Sequence, residues 1–245
     1  MIPDGKAALI TGGSRIGREV AVALARRGVA VAVTYRSSGR IAAETVKEAE
    51  RHAVRGLAIH ADLRRENDLR RAVQKTYKVF GRLDILVNLA SVYEKTPLKL
   101  AGGRALRESL ELHLQSATQL SLAAAPLMKR GGGGRIIHFT DWVAASGRPR
   151  YKDYLPYYIA KTGLLGLTQS LALELAPDIL VNAIAPGPIL PPSNLSSKEN
   201  REVLRATPLA RWGGAGEIAK AVLFLIETDF VTGECIRVDG GRHLY

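Results

Sequence analysis

Short apolar runs alternate with helix-patterned segments along this chain, and few folds accommodate that order. The runs are Lys6–Thr11, Val29–Thr34, Gly56–His60, Leu83–Val87, Ile136–Phe139, Ile179–Ile184 and Glu234–Val238. Between them, Arg15–Arg27, Gly39–Ala53, Glu66–Phe80, Arg104–Arg130, Tyr154–Ala176 and Gly216–Thr228 read as helices. Brief apolar segments between turn signals suit strands buried on both faces. Strand–helix alternation then predicts an α/β fold, a doubly wound parallel sheet of about seven strands with helices on both sides. Right-handed crossovers restrict its topology further. A chain of 245 residues with no clear internal break reads as a single domain, 1–245. Pro186–Pro192 reads as irregular, and Ile189–Arg211 as a long loop, either a lid over a site or a connection.

The formal charge of +12 raises the question of nucleic-acid binding. The arginines, however, are scattered through helical segments (Arg26, Arg27, Arg64, Arg65, Arg70, Arg71), and no zinc-finger or RNA-binding signature is present. A basic surface equally favours anionic cofactors and substrates. No apolar run reaches about 18 residues, so no membrane span is expected. The opening MIPDGKAALITGG lacks the layout of a signal peptide. A lone cysteine, Cys235, fits a reducing cytoplasm. The expected partner is a small-molecule substrate, with no nucleic acid, membrane or metal.

Thr11-Gly12-Gly13-Ser14-Arg15-Ile16-Gly17 lies between the first strand and the first helix. Glycines there let the backbone approach a pyrophosphate, and the helix start favours negative charge. A dinucleotide site for NAD carries an acid after the second strand to hold the ribose 2′-hydroxyl. Here that place reads Tyr35-Arg36-Ser37-Ser38. A guanidinium and a hydroxyl suit a 2′-phosphate instead, and Arg15 adds a second positive charge. The expected cofactor is NADP(H).

Tyr157 and Lys161 lie four residues apart, on one face of a helix. A free phenol has a pKa of about 10. A nearby ammonium favours phenolate, which would make the pair a proton donor suited to reducing a polar double bond. Tyr158 competes, but only Tyr157 has the i,i+4 relation to the lysine. Asp141 lies just past the fifth strand, where chemistry collects in open α/β sheets.

The whole set then resembles the short-chain dehydrogenase/reductase family: TGGSRIG, Asp62-Leu63, Asn88-Leu89-Ala90-Ser91, Tyr157-x-x-x-Lys161, Asn182-Ala183-Ile184-Ala185-Pro186-Gly187 and Val238-Asp239-Gly240-Gly241. The resemblance implies a Rossmann-type fold and a homotetramer. It implies that Lys161 binds the nicotinamide ribose and lowers the Tyr157 pKa, and that Tyr157 passes the proton. The expected cofactor contacts are Gly12, Ser14, Arg15, Ile16, Tyr35, Arg36, Ser37, Asp62, Leu63, Asn88, Ala90, Ser91, Tyr157, Lys161, Pro186, Gly187 and Ile189.

Four positions depart from the family pattern. The glycine turn is one residue short before Ile16-Gly17. Leu89 replaces a second asparagine. His113 replaces an asparagine of the long helix; it reads either as a proton relay or as an ordinary hydrogen-bonded residue. Asp141 stands where the family has a serine that donates to a substrate carbonyl. A carboxylate has no hydrogen to donate, but accepts from a ring N–H or an amino group. An Asp there resembles the pteridine reductase branch, as do Arg15-Ile16-Gly17 and the run Asn88–Tyr93 followed by Thr96-Pro97-Leu98. The spacing from Asp141 to Tyr157 is about three residues longer than in that branch.

The resemblance therefore implies NADPH-dependent reduction of a pterin-like C=N bond, with Asp141, Tyr157 and Lys161 catalytic. Arg15, Ser91, Tyr93, Asp141 and Tyr157 are its expected substrate contacts. A 3-oxoacyl-thioester or other ketone reductase is the alternative, and a catalytically silent NADPH-binding sensor a second one.

Overall fold

The protein is described by a computed structural model covering residues 1–192 and 195–245. Its strands are β1 (Ala7–Thr11), β2 (Ala30–Tyr35), β3 (Gly56–His60), β4 (Ile85–Asn88), β5 (Gly134–Phe139), β6 (Ile179–Pro186) and β7 (Cys235–Val238). All pair in parallel in one sheet of order β3-β2-β1-β4-β5-β6-β7. The helices are α1 (Ile16–Ala25), α2 (Gly39–Glu50), α3 (Glu66–Phe80), α4 (Gly103–Leu110), α5 (Ser116–Arg130), α6 (Trp142–Ala145), α7 (Leu155–Leu175), α8 (Ser197–Arg205) and α9 (Ala215–Glu227).

Side chains alternate across each strand, so one run feeds two cores. Ala8, Ile10, Val31, Val33, Ile85, Val87 and Ile137 meet Val20 and Leu24 of α1 and Ile218 and Val222 of α9. Leu9, Ala32, Leu86, Ile136 and Val181 meet Leu69 and Val73 of α3, Leu120 and Leu127 of α5, and Leu171 of α7. That is why the strands read as continuous apolar runs. Helices α1, α2 and α3 carry no side-chain N-cap bond. A cap contributes about 1 kcal/mol. Burying one leucine contributes about 1.5–3 kcal/mol. Packing against the sheet, rather than capping, holds these helices.

The chain winds outward through β2 and β3 and then returns to β4 on the other side of β1. Connections leave the carboxyl ends of β1 and β4 in opposite directions, which opens a crevice between them. Thr11 and Gly12 line one side of it, Leu89 and Ala90 the other.

Arg104–Arg130 is helical throughout, as expected, with a π-helical turn, Glu111–Gln115, between α4 and α5. Two expectations need correction. Ile189–Arg211 is not a structureless loop, because it contains α8. The Ser196 side chain accepts from the Glu199 backbone N–H at 3.2 Å, and Glu199 accepts in return from the Ser196 N–H at 2.9 Å. Ser196-x-x-Glu199 is a capping-box signature that periodicity alone overlooks. Ser193 and Asn194, within the expected loop, lie outside the described residues. Pro186, expected to be irregular, closes β6 opposite Val238. A proline is tolerated at a strand end because no further ladder bond is required of it. Among the described residues, no helix is long and apolar enough to cross a membrane.

Candidate active site

The glycine turn is built at the end of β1. Gly12 has φ +85°, and a Cβ there would sit 3.5 Å from the Ala90 backbone. A Cβ on Gly17 would lie 1.7 Å from the Gly12 carbonyl oxygen, so α1 can start against the turn only with glycine. The turn, one residue short, closes with Arg15 at φ 51° and leaves its side chain exposed. Thr11 Oγ1 accepts from the N–H groups of Leu89 and Ala90 at 2.9 and 3.0 Å. It ties the two sides of the crevice together, a role the sequence reading missed although Thr11 opens the motif.

Arg36 and Ser37 are exposed just past β2, and Tyr35 packs edge-on against His60. Asp62 lies next to them, its two carboxylate oxygens accepting from Nε and Nη2 of Arg64 at 3.1 and 2.9 Å. That bonding, with Arg36 adding a weaker pull, overcomes burial and keeps its carboxyl at about 2. Leu63 is buried, and so is Ile189 past β6; Pro186 and Gly187 are half-buried. Ser14 and Ile16 flank Arg15 in the turn. This glycine cradle, open to a helix start and flanked by the Arg15 and Arg36 guanidinium groups, fits a dinucleotide carrying a third phosphate.

Asp141, Tyr157 and Lys161 come together past β5. Tyr157 Oη donates to Asp141 Oδ2 at 3.1 Å. The other carboxylate oxygen accepts from the Val143 N–H at 2.8 Å and caps α6, a turn not expected from the sequence. Lys161 is 2 % exposed; its Nζ donates to the Phe139 carbonyl at 2.7 Å and lies 5.6 Å from the Tyr157 ring centre. The Lys161 carbonyl accepts from Thr140 Oγ1 at 2.7 Å. Tyr158 makes no side-chain bond within this group, so the spacing argument for Tyr157 stands.

The electrostatics differ from expectation at one point. Burial, and then the Asp141 charge, push the Tyr157 hydroxyl well above its ordinary value; Ser91 beside it opposes this weakly. The expected lowering by Lys161 is absent from this arrangement, because the ammonium lies over the ring and bonds a carbonyl instead. Burial also lowers Lys161 to about 8, against the pull of Asp141. Asp141 itself is raised by burial, opposed by the Val143 N–H, Tyr157 and Lys161 in turn. At neutral pH the phenol carries its proton.

Aromatic rings wall the site. Tyr93, 53 % exposed, stacks on Tyr154 at 4.3 Å and meets Tyr157 edge-on at 4.9 Å. Tyr151 adds a ring against Tyr154 and Trp142. The sequence reading missed Tyr151 and Tyr154, although Tyr151-x-x-Tyr154-x-x-Tyr157 carries all three at threefold spacing. Tyr151 and Tyr154 both lie in the stretch between Asp141 and Tyr157. Its Asp153 carbonyl accepts from the Thr96 N–H at 2.6 Å, which joins it to the Tyr93 segment.

Beneath these groups, His138 of β5 is fully buried beside Asn88, whose Nδ2 lies 3.4 Å from its Nδ1. Among the described residues, neither Asn88 Oδ1 nor His138 Nε2 has a partner. Burial, helped by Lys161, pushes His138 down to about 3, and the same causes bring His113 to about 3. Both rings bind protons less well folded than unfolded. Their contribution to stability is therefore complete above pH 6.5 and is lost as pH falls toward 3. Asp141, raised on folding, works the opposite way, one group against two. Thermal melts from pH 7 to 4.5 should show a falling Tm, with a shallower slope for His138→Asn. An unchanged slope in that variant would remove His138 from the account.

The family of enoyl-(acyl carrier protein) reductases matches residues 12–243 of this chain. The chain belongs to the short-chain dehydrogenase/reductase family. As such it is an oxidoreductase. It is 35% identical over 245 residues to a 3-oxoacyl-[acyl-carrier-protein] reductase of Staphylococcus aureus, covering 98% of each chain. A short-chain dehydrogenase/reductase from Serratia marcescens superposes with a TM-score of 0.91 at 32% identity, over 99% of this chain and all of that one. A blue fluorescent protein from a metagenomic library, solved in complex with NADPH, gives 0.91 at 30% identity over 99% of both.

Proposed function

We propose that this protein is an NADPH-dependent reductase of a flat, nitrogen-bearing, pterin-like substrate. The observation that carries the reading is Asp141, a carboxyl group bonded to the Tyr157 hydroxyl where the family has a serine. One carboxylate oxygen is taken by the Val143 N–H. The other, shared with Tyr157, keeps a lone pair for a substrate ring N–H or amino group. A ketone oxygen offered to the same carboxylate would be repelled. Tyr93 supplies a flat face beside the hydroxyl, and Ser91 a polar contact.

When bound, NADPH supplies the hydride. Gly12, Ser14, Arg15, Ile16, Tyr35, Arg36 and Ser37 hold its phosphate-rich half. Asp62, Leu63, Asn88, Ala90, Ser91, Pro186, Gly187 and Ile189 line the rest. Lys161 holds the ribose, and Tyr157 delivers the proton. Asp141 and Tyr157 share one hydrogen bond in a half-buried site, and with Lys161 they titrate as a set. A carboxyl raised by burial can take up a proton, and in that form leave the phenol hydrogen free for the substrate. The homo-oligomer implied by the family resemblance would cover Leu122, Leu173 and Phe224, all exposed in the single chain.

The second reading is reduction of a 3-oxoacyl thioester. The name of the Staphylococcus aureus relative favours it, along nearly the whole chain. The decisive experiment follows NADPH absorbance with a dihydropterin and an acetoacetyl thioester side by side. Turnover of the dihydropterin alone is the expected result. Turnover of the thioester alone would replace the first reading with the second, with Asp141 acting as a neutral donor.

A further inference from the structure

His113 occupies the π-helical turn between α4 and α5, and the reaction just described assigns it nothing. It is 4 % exposed, with its ring edge-on to Tyr157 at 5.5 Å. Its Nδ1 lies 2.9 Å from the Ser109 carbonyl oxygen, which can only accept. Its Nε2 lies 3.2 Å from the Val92 N–H, which can only donate, and 3.0 Å from Ser91 Oγ. These partners fix one form of the ring: hydrogen on Nδ1, lone pair on Nε2. A relay would need one nitrogen to gain a proton as the other loses one. Here the Nε2 lone pair is committed to a backbone donor and Nδ1–H to a backbone acceptor. A π-turn interrupts the helix at the residue that makes this bridge, as such turns often do at working sites.

We infer that His113 is a positioning residue that relays no proton: its neutral ring clamps Ser91–Val92 to α4 and thereby holds Tyr93 against Tyr157. The inference rests on Tyr157 and Tyr93 facing the substrate, as proposed above. The clamp is a property of the resting protein and can be read without any substrate.

Two variants separate the roles. Gln at 113 can place its amide oxygen where Nε2 sits, whereas Asn is too short to reach the Val92 N–H. In the protein as it stands, ¹⁵N-histidine spectra should show the Nδ1–H form of His113 unchanged from pH 5 to 9, the resonance being assigned by its loss in His113→Gln. Hydrogen exchange at the Val92 amide should accelerate at least tenfold in His113→Asn and stay near the wild-type rate in His113→Gln. With whichever substrate the paired assay identifies, His113→Asn should raise KM about fivefold or more, with the pH profile and solvent isotope effect on kcat unchanged. Titration of His113 in that pH range, or an altered isotope effect in both variants, would make it a proton carrier and overturn the inference. Equal Val92 exchange in all three proteins would remove the clamp. Loss of turnover with both substrates would count against the proposed function alone, since the spectra and exchange rates would still decide the clamp.

Discussion

Tyr157→Phe should lower kcat by about 10²–10⁴-fold, the usual contribution of a positioned proton donor, while NADPH still binds. The substitution removes one oxygen and keeps the ring. That ring rests against Tyr93 and His113, with the Lys161 ammonium over it, and all three contacts survive in phenylalanine. The oxygen removed is the one bonded to Asp141 at 3.1 Å. A carboxylate that loses one of two partners in a half-buried site costs about 1–3 kcal/mol. A modest fall in Tm should therefore accompany the loss of rate. NADPH affinity, read by fluorescence titration, should change less than about threefold, because the glycine turn and the Arg36 loop are remote from the hydroxyl. A variant that kept more than a tenth of wild-type kcat would take the proton-donor role away from Tyr157, leaving Tyr158 or a water to supply it.

Replacing Asp141 tests substrate choice rather than chemistry. Asp141→Ser should reduce kcat/KM for a dihydropterin by about 10- to 150-fold, since a charge-assisted hydrogen bond contributes about 1.5–3 kcal/mol. Serine can still accept from the Val143 N–H and cap α6, so the backbone at the end of β5 should persist. It also offers a hydrogen to a carbonyl oxygen, so activity toward an acetoacetyl thioester should rise or first appear. The ratio of the two activities is the quantity to measure, because it cancels any general loss of folded enzyme. A ratio that stayed put would mean that Asp141 does not read the substrate. Loss of both activities in equal measure would assign the carboxylate a structural part in holding Tyr157.

The architecture was legible because strands buried on both faces need apolar residues at every position, a demand local enough to read. Thr11, Gly12 and Gly17 were legible as a turn, but the bond from Thr11 to Leu89 and Ala90 joins residues 78 and 79 positions apart and leaves no local mark. The grouping of Tyr157, Lys161 and Asp141 followed from helix spacing and strand ends. Its electrostatics did not, because a charge four residues away acts through where its ammonium is bonded, and Lys161 directs one of its three hydrogens to Phe139. The π-turn at Glu111–Gln115 was hidden for a similar reason: the residues around it have ordinary helical preferences, and the interruption coincides with what His113 holds across space. Helix α8 was missed for a different cause, since its signal lay in the capping pair Ser196 and Glu199 rather than in apolar periodicity.

Lys161 is stapled twice to the end of β5, by its ammonium to Phe139 and by its carbonyl to Thr140. The next residue along the chain is Asp141. The place of Lys161 on α7 is thus set by two bonds that do not involve the side chain at position 141. Such an arrangement separates what must be preserved from what is free to drift. If Asp141 reads the substrate as proposed, a lineage exchanging serine for aspartate at that one point would trade one class of substrate for another without first passing through an ancestor whose lysine has lost its place.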